Sequence, residues 1–529
     1  FFFTHTPPSP ILSGLVGSEM CIRDSLPSLS YSMSDYDDFI GRVKELNLIG
    51  SLTGLMGWDQ ETMMPPKGGK LRSEMMAFLS KQAHSRITDS EMGKLLDSLE
   101  SQKLTQEQAA NVREIRSSYD KATKLPEELV EEKARHKSQA LQVWQEARSE
   151  NNFEKFQPYL EKTVELTCKT AEYYGYEDNI YDALLDIYEP GMTVSQLDPL
   201  FTGLREAIVP LVKAVGESPN QPDTSFLDIG KFSEEKQRQF SLKVAESIGF
   251  DFDAGRMDTS THPFCSGAGP NDVRFTTRYD EEFPFGCLYG VMHETGHGTY
   301  EQGLLAEHEG TPMGQAVSLG VHESQSRMWE NMVGRSNEFW QYYIDEFKSC
   351  FDHLPSDLTI DTLHRAVNTV QPSLIRVESD EATYNLHIMV RYEIEKQLVN
   401  GNIKVADLPE FWNSKMEEYL GVTPPNDTKG VLQDIHWSMG AIGYFPTYTL
   451  GNLYAAQLHA AALADDPTIP EKIAKGEFHV LLDWMRTHIH VHGSKLLPAD
   501  LMTQATGKDP SSDDFVNYLH SKYTKIYSL

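Results

Sequence analysis

The stretch "YGVMHETGHGTYEQG", residues 289 to 303, places two histidines four residues apart around a glutamate. A helix advances about 100° and 1.5 Å per residue, so His293 and His297 would lie on one face, about 6 Å apart along the axis. Two imidazoles in that arrangement can bind one metal ion. Glu294 would lie about 100° around the helix from His293, where its carboxylate can act as a general base beside the metal without being a ligand.

The same stretch contains several glycines, although each glycine inside a helix costs about 1 kcal/mol relative to alanine. They are Gly290, Gly296, Gly298 and Gly303. A buried helix tolerates glycines where neighbouring elements approach its backbone closely. We therefore expect this helix to be buried among close neighbours.

A hydrolytic zinc site needs a third protein ligand and one open position. A metzincin would need glycine and histidine where this chain has Tyr300 and Gly303, so that class is excluded. Glu301 would lie about 12 Å along the axis from His293, too far to join both histidines around a single ion. We interpret Glu301 as a solvated helix charge.

The better candidate for the third ligand is Glu323, in "SLGVHESQSRMWENMVG" at residues 318 to 334. The apolar spacing in this stretch predicts a second helix with a buried side, from which a carboxylate could reach the metal. The neighbouring His322 is expected to be a packing residue or a group that orients a ligand. Spacing along the sequence does not by itself establish that these residues converge.

Composition excludes several classes of function. The 529 residues could form up to three domains or one large helical body. A formal charge of -31 would repel nucleic acid and anionic membranes, so we predict neither as a partner. The five cysteines lie far apart and form no CxxC pair, which argues against a disulfide framework and against a thiolate zinc site. A reducing, cytoplasmic location is therefore expected.

The first 32 residues have an unusual composition. They include "LVGSEMCIRDS", which resembles translated sequencing-adapter read-through. We predict that residues 1 to 32 are a non-native N-terminal extension and that Met33 is the natural start. Residues 33 to 529 would then form one catalytic domain.

Periodicity in the rest of the chain predicts mostly helices. Apolar residues recur every three or four positions from Tyr36 onward, and Pro126 is placed to begin a long helix that ends at Asn151. Thr193 has the spacing of a capping box that begins another helix. Alternation of apolar and polar residues in "DVRFTTRY", residues 272 to 279, predicts a half-buried strand. We expect one predominantly helical body with a small sheet beside the HExxH helix.

Six short motifs occur in a fixed order along the chain. They are "HPF" at 262, "DVRFT" at 272, "HETGH" at 293, "HESQ" at 322, "IRVESD" at 375 and "GVLQDIHW" at 430. Together they resemble the carboxypeptidase Taq-type family of metallocarboxypeptidases, from about residue 36 to the end. The one departure is Ser379, where the family pattern has alanine, a change between two small residues.

The resemblance implies a mainly α fold, a single large helical body split by a long active-site groove, similar to peptidases of the neurolysin and angiotensin-converting-enzyme type. It implies His293, His297 and Glu323 as metal ligands, which is the gluzincin arrangement, and Glu294 as the catalytic base. Zn²⁺ is the expected cofactor, and Co²⁺ can also serve. The resemblance further implies a homodimer that releases single residues from peptide C-termini with broad side-chain tolerance.

A carboxypeptidase must recognise a free C-terminal carboxylate, which calls for a fixed cation. Arg376 is our first candidate, and its alternative role is a helix salt bridge with Asp380, four residues on. His436 is a plausible second donor. Gln433 and Asp434 could orient it or could be merely structural.

Other candidates would line the substrate site. Tyr444 or Tyr448 could donate a hydrogen bond to the oxyanion, although a role in the core or the wall is as plausible for each. His262 could line the groove, and the strand from 272 to 279 could offer an edge to an extended peptide. Arg274 could bind substrate or could be a structural ion-pair partner.

Two alternatives to the carboxypeptidase stay open on the sequence alone. One is a cytosolic zinc oligopeptidase of the same helical architecture, which would cut internal peptide bonds. The other is a non-catalytic helical scaffold that keeps a metal for stability.

Overall fold

The structure is a computed structural model, and it describes residues 34–529. The predicted N-terminal extension and the proposed start at Met33 lie outside the described residues. Within the part of the chain that is described, no helix is long and apolar enough to cross a membrane.

Helices dominate, and they fall into one set before the sheet and one after it. The first set is α1 (Asp35–Thr62), α2 (Gly69–Ile87), α3 (Ser90–Glu100), α4 (Gln106–Lys124), α5 (Glu127–Glu150), α6 (Phe153–Tyr174), α7 (Ile180–Leu185), α8 (Val194–Glu217) and α9 (Glu234–Ile248). The second set is α10 (Pro284–Gly303), α11 (Leu319–Arg327), α12 (Asn337–Cys350), α13 (Ile360–Ala366), α14 (Tyr384–Val399), α15 (Leu408–Leu420), α16 (Pro446–Asp465), α17 (Ile469–Ile473), α18 (His479–His488), α19 (Pro498–Thr506) and α20 (Asp513–Tyr527). The expectation of a mainly helical chain with a small sheet is confirmed.

Local signals in the sequence account for several helix ends. Pro126 is the N-cap residue of α5, where its missing N–H leaves no helix acceptor unsatisfied, and Asn151 ends the helix in the left-handed conformation. The capping box predicted at Thr193 is present, with Gln196 as its second member, at the start of α8. A second capping box, at Ser34, begins α1.

The sheet has three strands, β1 (Gly255–Thr259), β2 (Cys265–Gly269) and β3 (Asp272–Thr277). Their order is β1-β3-β2, with β3 parallel to β1 and antiparallel to β2. The predicted strand exists, but Thr276 is buried where the alternation predicted exposure, because its hydroxyl bonds the Ser260 hydroxyl and the Phe264 N–H. Since β3 pairs on both sides, it has no free edge, and the expectation that it pairs with an extended peptide is wrong.

The core consists of one large apolar cluster and two smaller ones. The large cluster joins residues from α5 through to α20. One small cluster holds the N-terminal helices together around Phe39 and Leu96. The other connects the sheet to α9 and α10 through residues such as Phe275 and Val291, so the helix that carries the HExxH motif is anchored on the sheet.

The glycines of the opening stretch explain how tightly α10 is enclosed. A Cβ at Gly296 would lie 2.5 Å from the Gln325 carbonyl oxygen, so α11 can approach only because that residue is glycine. A Cβ at Gly298 would lie 2.6 Å from the Phe250 ring, and one at Gly303 would collide with His490. Gly290 has nothing within 4 Å, so our expectation of a close neighbour is wrong there.

Replacing Gly296 with alanine should therefore destabilise the protein, whereas the same change at Gly290 should not. For Gly296→Ala we expect a loss of about 1 to 3 kcal/mol in the free energy of unfolding, because backbone atoms of α11 would have to move. Gly290→Ala should be neutral or stabilise by up to about 1 kcal/mol, since it only adds helix propensity. Urea unfolding of both variants measures the difference, and equal effects would contradict the packing described.

Candidate metal centre

Two neighbouring helices bring His293, His297 and Glu323 together. The histidines lie on α10 and the glutamate on α11, and one potential ligand atom from each residue lies within 4.8 Å of the others. The Nε2 atom of each histidine is 3.4 Å from Oε2 of Glu323. Ligands bound at about 2.0 to 2.2 Å in a tetrahedral zinc site lie about 3.4 Å apart, so the spacing fits a single ion.

Hydrogen bonds on the far side of each imidazole orient the two rings. His293 Nδ1 is 2.8 Å from Oε2 of Glu330, and His297 Nδ1 is 2.6 Å from Nδ1 of His322. The other nitrogen of His322 lies 2.7 Å from Oε1 of Glu301. If both Nε2 atoms are kept as metal ligands, Nδ1 of each ring carries the proton and donates it outward. Glu301 is thus a partner of His322, and our interpretation of it as a merely solvated charge is wrong.

The two oxygens of Glu323 have different surroundings. Oε1 accepts a hydrogen bond from Nε of Arg327 at 2.7 Å, whereas Oε2 accepts one from the Ser326 hydroxyl at 2.9 Å and faces the histidines. Burial alone would raise the pKa of Glu323, but the charge of Arg327 and the nearby imidazoles hold it well below its usual range. Glu323 can therefore bind a metal ion as a carboxylate, alongside neutral imidazoles.

Glu294 lies beside the three potential ligands and is only 6% exposed. Burial raises the pKa of its carboxyl to about 7, with His293 opposing and Glu323 supporting the increase. A carboxyl with a pKa near the working pH suits a group that must both accept and return a proton.

Arg376 pairs with Asp434 and not with Asp380, the partner that we considered for its alternative role. The residue lies in a 3₁₀ turn (Arg376–Glu378), is 6% exposed, and donates from Nε and Nη2 to Oδ1 of Asp434 at 3.1 and 2.9 Å. Its Nη1 donates to the hydroxyl of Tyr384 at 3.0 Å. Asp380 instead accepts hydrogen bonds from backbone N–H groups of its own turn and of residue 371, so the alternative of a helix salt bridge is wrong.

His436, Tyr444 and Tyr448 gather beside Arg376. The Tyr448 hydroxyl is 3.5 Å from Nε2 of His436, and the guanidinium of Arg376 lies 5.1 Å from the centre of the Tyr448 ring. Tyr444 packs against both His436 and Tyr448, with ring centres 5.4 Å apart in each case. Burial raises the pKa of Tyr444. Tyr448 lies on α16, where a Cβ at Gly451 would be 2.4 Å from Cγ of Glu323, so this cluster adjoins the candidate metal ligands.

Gln433 and Asp434, which we considered as partners of His436, form their contacts mainly with arginines. Asp434 binds Arg391 as well as Arg376, and its nearest oxygen is 4.0 Å from Nδ1 of His436, beyond hydrogen-bonding distance. Gln433 accepts hydrogen bonds from the Arg376 N–H and from Nη2 of Arg391. The idea that Gln433 and Asp434 directly orient His436 is therefore wrong.

His262 and Arg274 lie on the sheet side, apart from this cluster. His262 is exposed in the loop between β1 and β2. Arg274 makes a bidentate ion pair with Asp272, at 2.6 and 2.9 Å, and its guanidinium lies 4.8 Å from the Trp58 ring. Among the contacts described, Arg274 thus joins β3 to α1.

Sequence reasoning missed five residues of this site: Arg327, Glu330, Tyr384, Arg391 and Glu395. The first two follow Glu323 by four and seven residues, on the side of the helix that faces the histidines. Charged residues that recur at this spacing after Glu323 were a usable signal. Tyr384, Arg391 and Glu395 come from α14 and carry no comparable local signal.

Glu395 holds the segment that carries His436 and Tyr444. It is fully buried, and its Oε1 accepts from Nε1 of Trp437 at 2.8 Å, while Oε2 accepts from the backbone N–H of Gly443 at 2.9 Å. Because the two donors lie at opposite ends of that segment, one carboxyl group fixes both ends. Burial raises the pKa of Glu395 to about 7.

Comparison with known proteins agrees with this geometry. The family model of the carboxypeptidase Taq (M32) metallopeptidases matches residues 38–523. The chain belongs to the M32 family. It is similar to thermostable carboxypeptidase 1 of Thermus thermophilus, with 45% identity over 93% of this chain and 99% of that protein, and to carboxypeptidase 1 of Bacillus subtilis, with 40% identity over 93% and 98%.

The fold is also that of the M32 enzymes. The crystal structure of the M32 carboxypeptidase from Deinococcus radiodurans R1 matches with a TM-score of 0.91 at 40% identity, covering 94% of this chain and all of that one. The protein is therefore a metallocarboxypeptidase, and a metal ion belongs to its chemistry.

For this M32 enzyme, Glu395 predicts a defined pH dependence of stability. Its folded pKa of about 7 exceeds the ordinary value of 4.5, so its contribution is complete below pH 4.5 and is lost as the pH rises to 7. The free energy of unfolding of the parent, minus that of Glu395→Gln, should fall across this range by about 1 to 3 kcal/mol.

Urea unfolding of both proteins at several pH values, at a fixed zinc concentration, measures that difference. Glu410→Gln is the matched control, because Glu410 lies exposed on α15 and its neutralisation should produce no such slope. A difference between parent and Glu395→Gln that stays constant from pH 4.5 to 7 would contradict the prediction.

Proposed function

We propose that this metallocarboxypeptidase binds zinc through His293, His297 and Glu323 and removes single residues from the C-termini of peptides, with broad side-chain tolerance. The observation that supports this most directly is the spacing of the three side chains, with both Nε2 atoms 3.4 Å from one glutamate oxygen. Cobalt could occupy the same ligands, because imidazole and carboxylate suit both ions.

The neighbouring residues would supply the proton transfers. A zinc ion held by these ligands would polarise the scissile carbonyl and lower the pKa of the attacking water. Glu294, with its raised pKa, accepts the proton of that water and passes it to the leaving amine. Tyr444 or Tyr448 donates a hydrogen bond to the oxyanion, since both phenols stay protonated at neutral pH.

Charge balance supports a carboxylate site at Arg376. Arg376 and Arg391 share one aspartate, Asp434, so the trio keeps a net positive charge in a buried place. His436 is neutral there, because burial and the two arginines lower its pKa to about 4, and it can donate a hydrogen bond without adding charge. A free C-terminal carboxylate would complete the pairing of this surplus charge.

We also propose an overall architecture, an oligomeric state and a cellular location for the enzyme. Residues 33–529 form one catalytic domain, whose helices enclose a long groove like that of neurolysin and angiotensin-converting-enzyme type peptidases. His262 and Arg274 lie along the wall of that groove. The enzyme is a cytoplasmic homodimer that acts on peptides and binds neither nucleic acid nor membranes; the charge of -31 supports the last point.

Recognition of the carboxylate predicts a strong preference for free peptide ends. A peptide with a free C-terminus should be cleaved at least about 100-fold more efficiently, in kcat/KM, than its C-terminally amidated twin, because the amide leaves the buried positive charge unpaired. Mass spectrometry of the two digests, read as ladders of single-residue losses, gives the comparison. Equal cleavage of both peptides, or internal cuts, would favour an oligopeptidase.

The same comparison tests Arg376 itself. Arg376→Met should remove most of the preference for the free acid, whereas Arg376→Lys, which keeps the charge, should retain part of it. A preference that survives intact in Arg376→Met would assign the carboxylate to another cation.

Replacement of the proposed base should separate catalysis from metal binding. Glu294→Gln should lose about 10²- to 10⁴-fold in kcat, because the amide cannot accept the proton, while its zinc content stays at the parent level. Metal analysis and peptide hydrolysis on one preparation give both values. Glu282→Gln, an exposed change just before α10, is the control. Full activity in Glu294→Gln would be incompatible with the mechanism.

A further inference from the structure

The two carboxylate oxygens of Glu323 have different contacts. Oε2 faces the two imidazoles, while Oε1 is held by Arg327 on the opposite side. We propose that Arg327 is a positioning residue that restricts Glu323 to a single metal-binding oxygen. This inference rests on the proposal that His293, His297 and Glu323 hold the metal.

The position of Arg327 is itself tightly determined. Its Nε donates to Oε1 of Glu323 at 2.7 Å, and its Nη1 donates to Oε2 of Glu330 at 3.2 Å. The face of the guanidinium lies 4.4 Å from the centre of the Tyr384 ring, a cation-π arrangement. Contacts with three groups therefore hold Arg327 beside Glu323.

The end of α11 makes this geometry possible. Arg327 is its last residue, and the backbone continues as a π-helix over Met328–Val333. Glu330 lies within that π-helix, where its Oε2 meets both Arg327 and Nδ1 of His293. A π-helical turn is rare and is often found at functional sites. Here it places one arginine between a candidate metal ligand and the carboxylate that orients another.

Charge determines what Arg327 does to the metal site. Arg327 makes ion pairs with both Glu323 and Glu330, at 2.7 and 3.2 Å, and so neutralises part of the charge that they present to a bound cation. If Arg327 served only to build the site, its loss would loosen Glu323 and weaken metal binding. If it restricts Glu323 as proposed, its loss frees Oε1 for the metal and removes a repelling charge, so metal binding should stay as tight or become tighter.

The variant Arg327→Met tests these opposite expectations. The metal-free protein is reloaded with Zn²⁺ in competition with a chromophoric chelator, and with Co²⁺ for its visible absorption spectrum. We expect an unchanged or lower Kd for zinc, a weaker Co²⁺ absorption because a further oxygen joins the ion, and a fall of about tenfold or more in kcat. A weaker affinity for zinc, or an unaltered Co²⁺ spectrum, would overturn the proposal.

Arg335→Met is the matched control. Arg335 also lies near Glu330, with 3.7 Å between Nη2 and Oε1, and its guanidinium packs 4.0 Å from the centre of the Tyr289 ring, but it makes no contact with Glu323 among the ion pairs described. Its removal should leave the Kd for zinc within about twofold and the Co²⁺ spectrum unchanged, because effects on a metal fall off beyond the groups that touch its ligands. Changes equal to those of Arg327→Met would also overturn the proposal.

Two further variants separate a failure to fold, or a wrong set of metal ligands, from a failure of the proposal for Arg327. If Arg327→Met does not fold, Arg327→Lys retains the charge and a hydrogen-bond donor group, so it should keep the parent Co²⁺ spectrum, and a weakened spectrum there would contradict the inference. His297→Ala tests the metal site itself. If the parent binds no zinc, or if His297→Ala keeps the parent affinity, the proposed ligands are wrong, which is a separate outcome from a failure of Arg327 alone.

Discussion

The close packing of α11 between α10 and α16 is the constraint on which the candidate metal centre depends. At Gly296 the backbone of α10 meets that of α11, and at Gly451 the backbone of α16 lies against the side chain of Glu323. Any side chain at these two positions would push the helix that carries Glu323 away from the histidines or displace the glutamate itself. The cost of placing glycine within helices is offset by this approach, since metal ligands must be held within about 0.5 Å of their productive geometry.

Around that packed core, buried charges occur in small groups that combine both signs. Arg327 lies between Glu323 and Glu330, and Asp434 lies between Arg376 and Arg391. Burying any one of these charges alone would cost several kcal/mol, so each is retained because its neighbours compensate it. The two groups differ in net charge: Arg335, 3.7 Å from Glu330, brings the first group close to neutral, whereas two arginines around one aspartate leave the second with a positive surplus that suits a carboxylate.

The sequence predicted the elements of this arrangement better than their contacts. The spacing of His293 and His297 follows from helix geometry, and the search for a carboxylate on a second helix led to Glu323. Arg376 was found as a candidate, but the partner considered for its alternative role was Asp380, because the partner in the structure, Asp434, lies 58 residues further along the chain. The central position of β3 in the sheet likewise results from its pairing with β1 and β2, which the sequence of β3 alone does not specify. Local spacing contains no information on such long-range contacts, and for that reason Glu395 was missed as well.

Tyr384 takes part in both charge groups. Its hydroxyl accepts a hydrogen bond from Arg376, and the face of its ring lies against Arg327. If Arg376 receives the terminal carboxylate, as we propose, one rigid aromatic ring would set the distance between that carboxylate and the metal centre. The distance from the chain end to the cleaved bond would then be set by the enzyme and would not depend on which side chain the substrate carries.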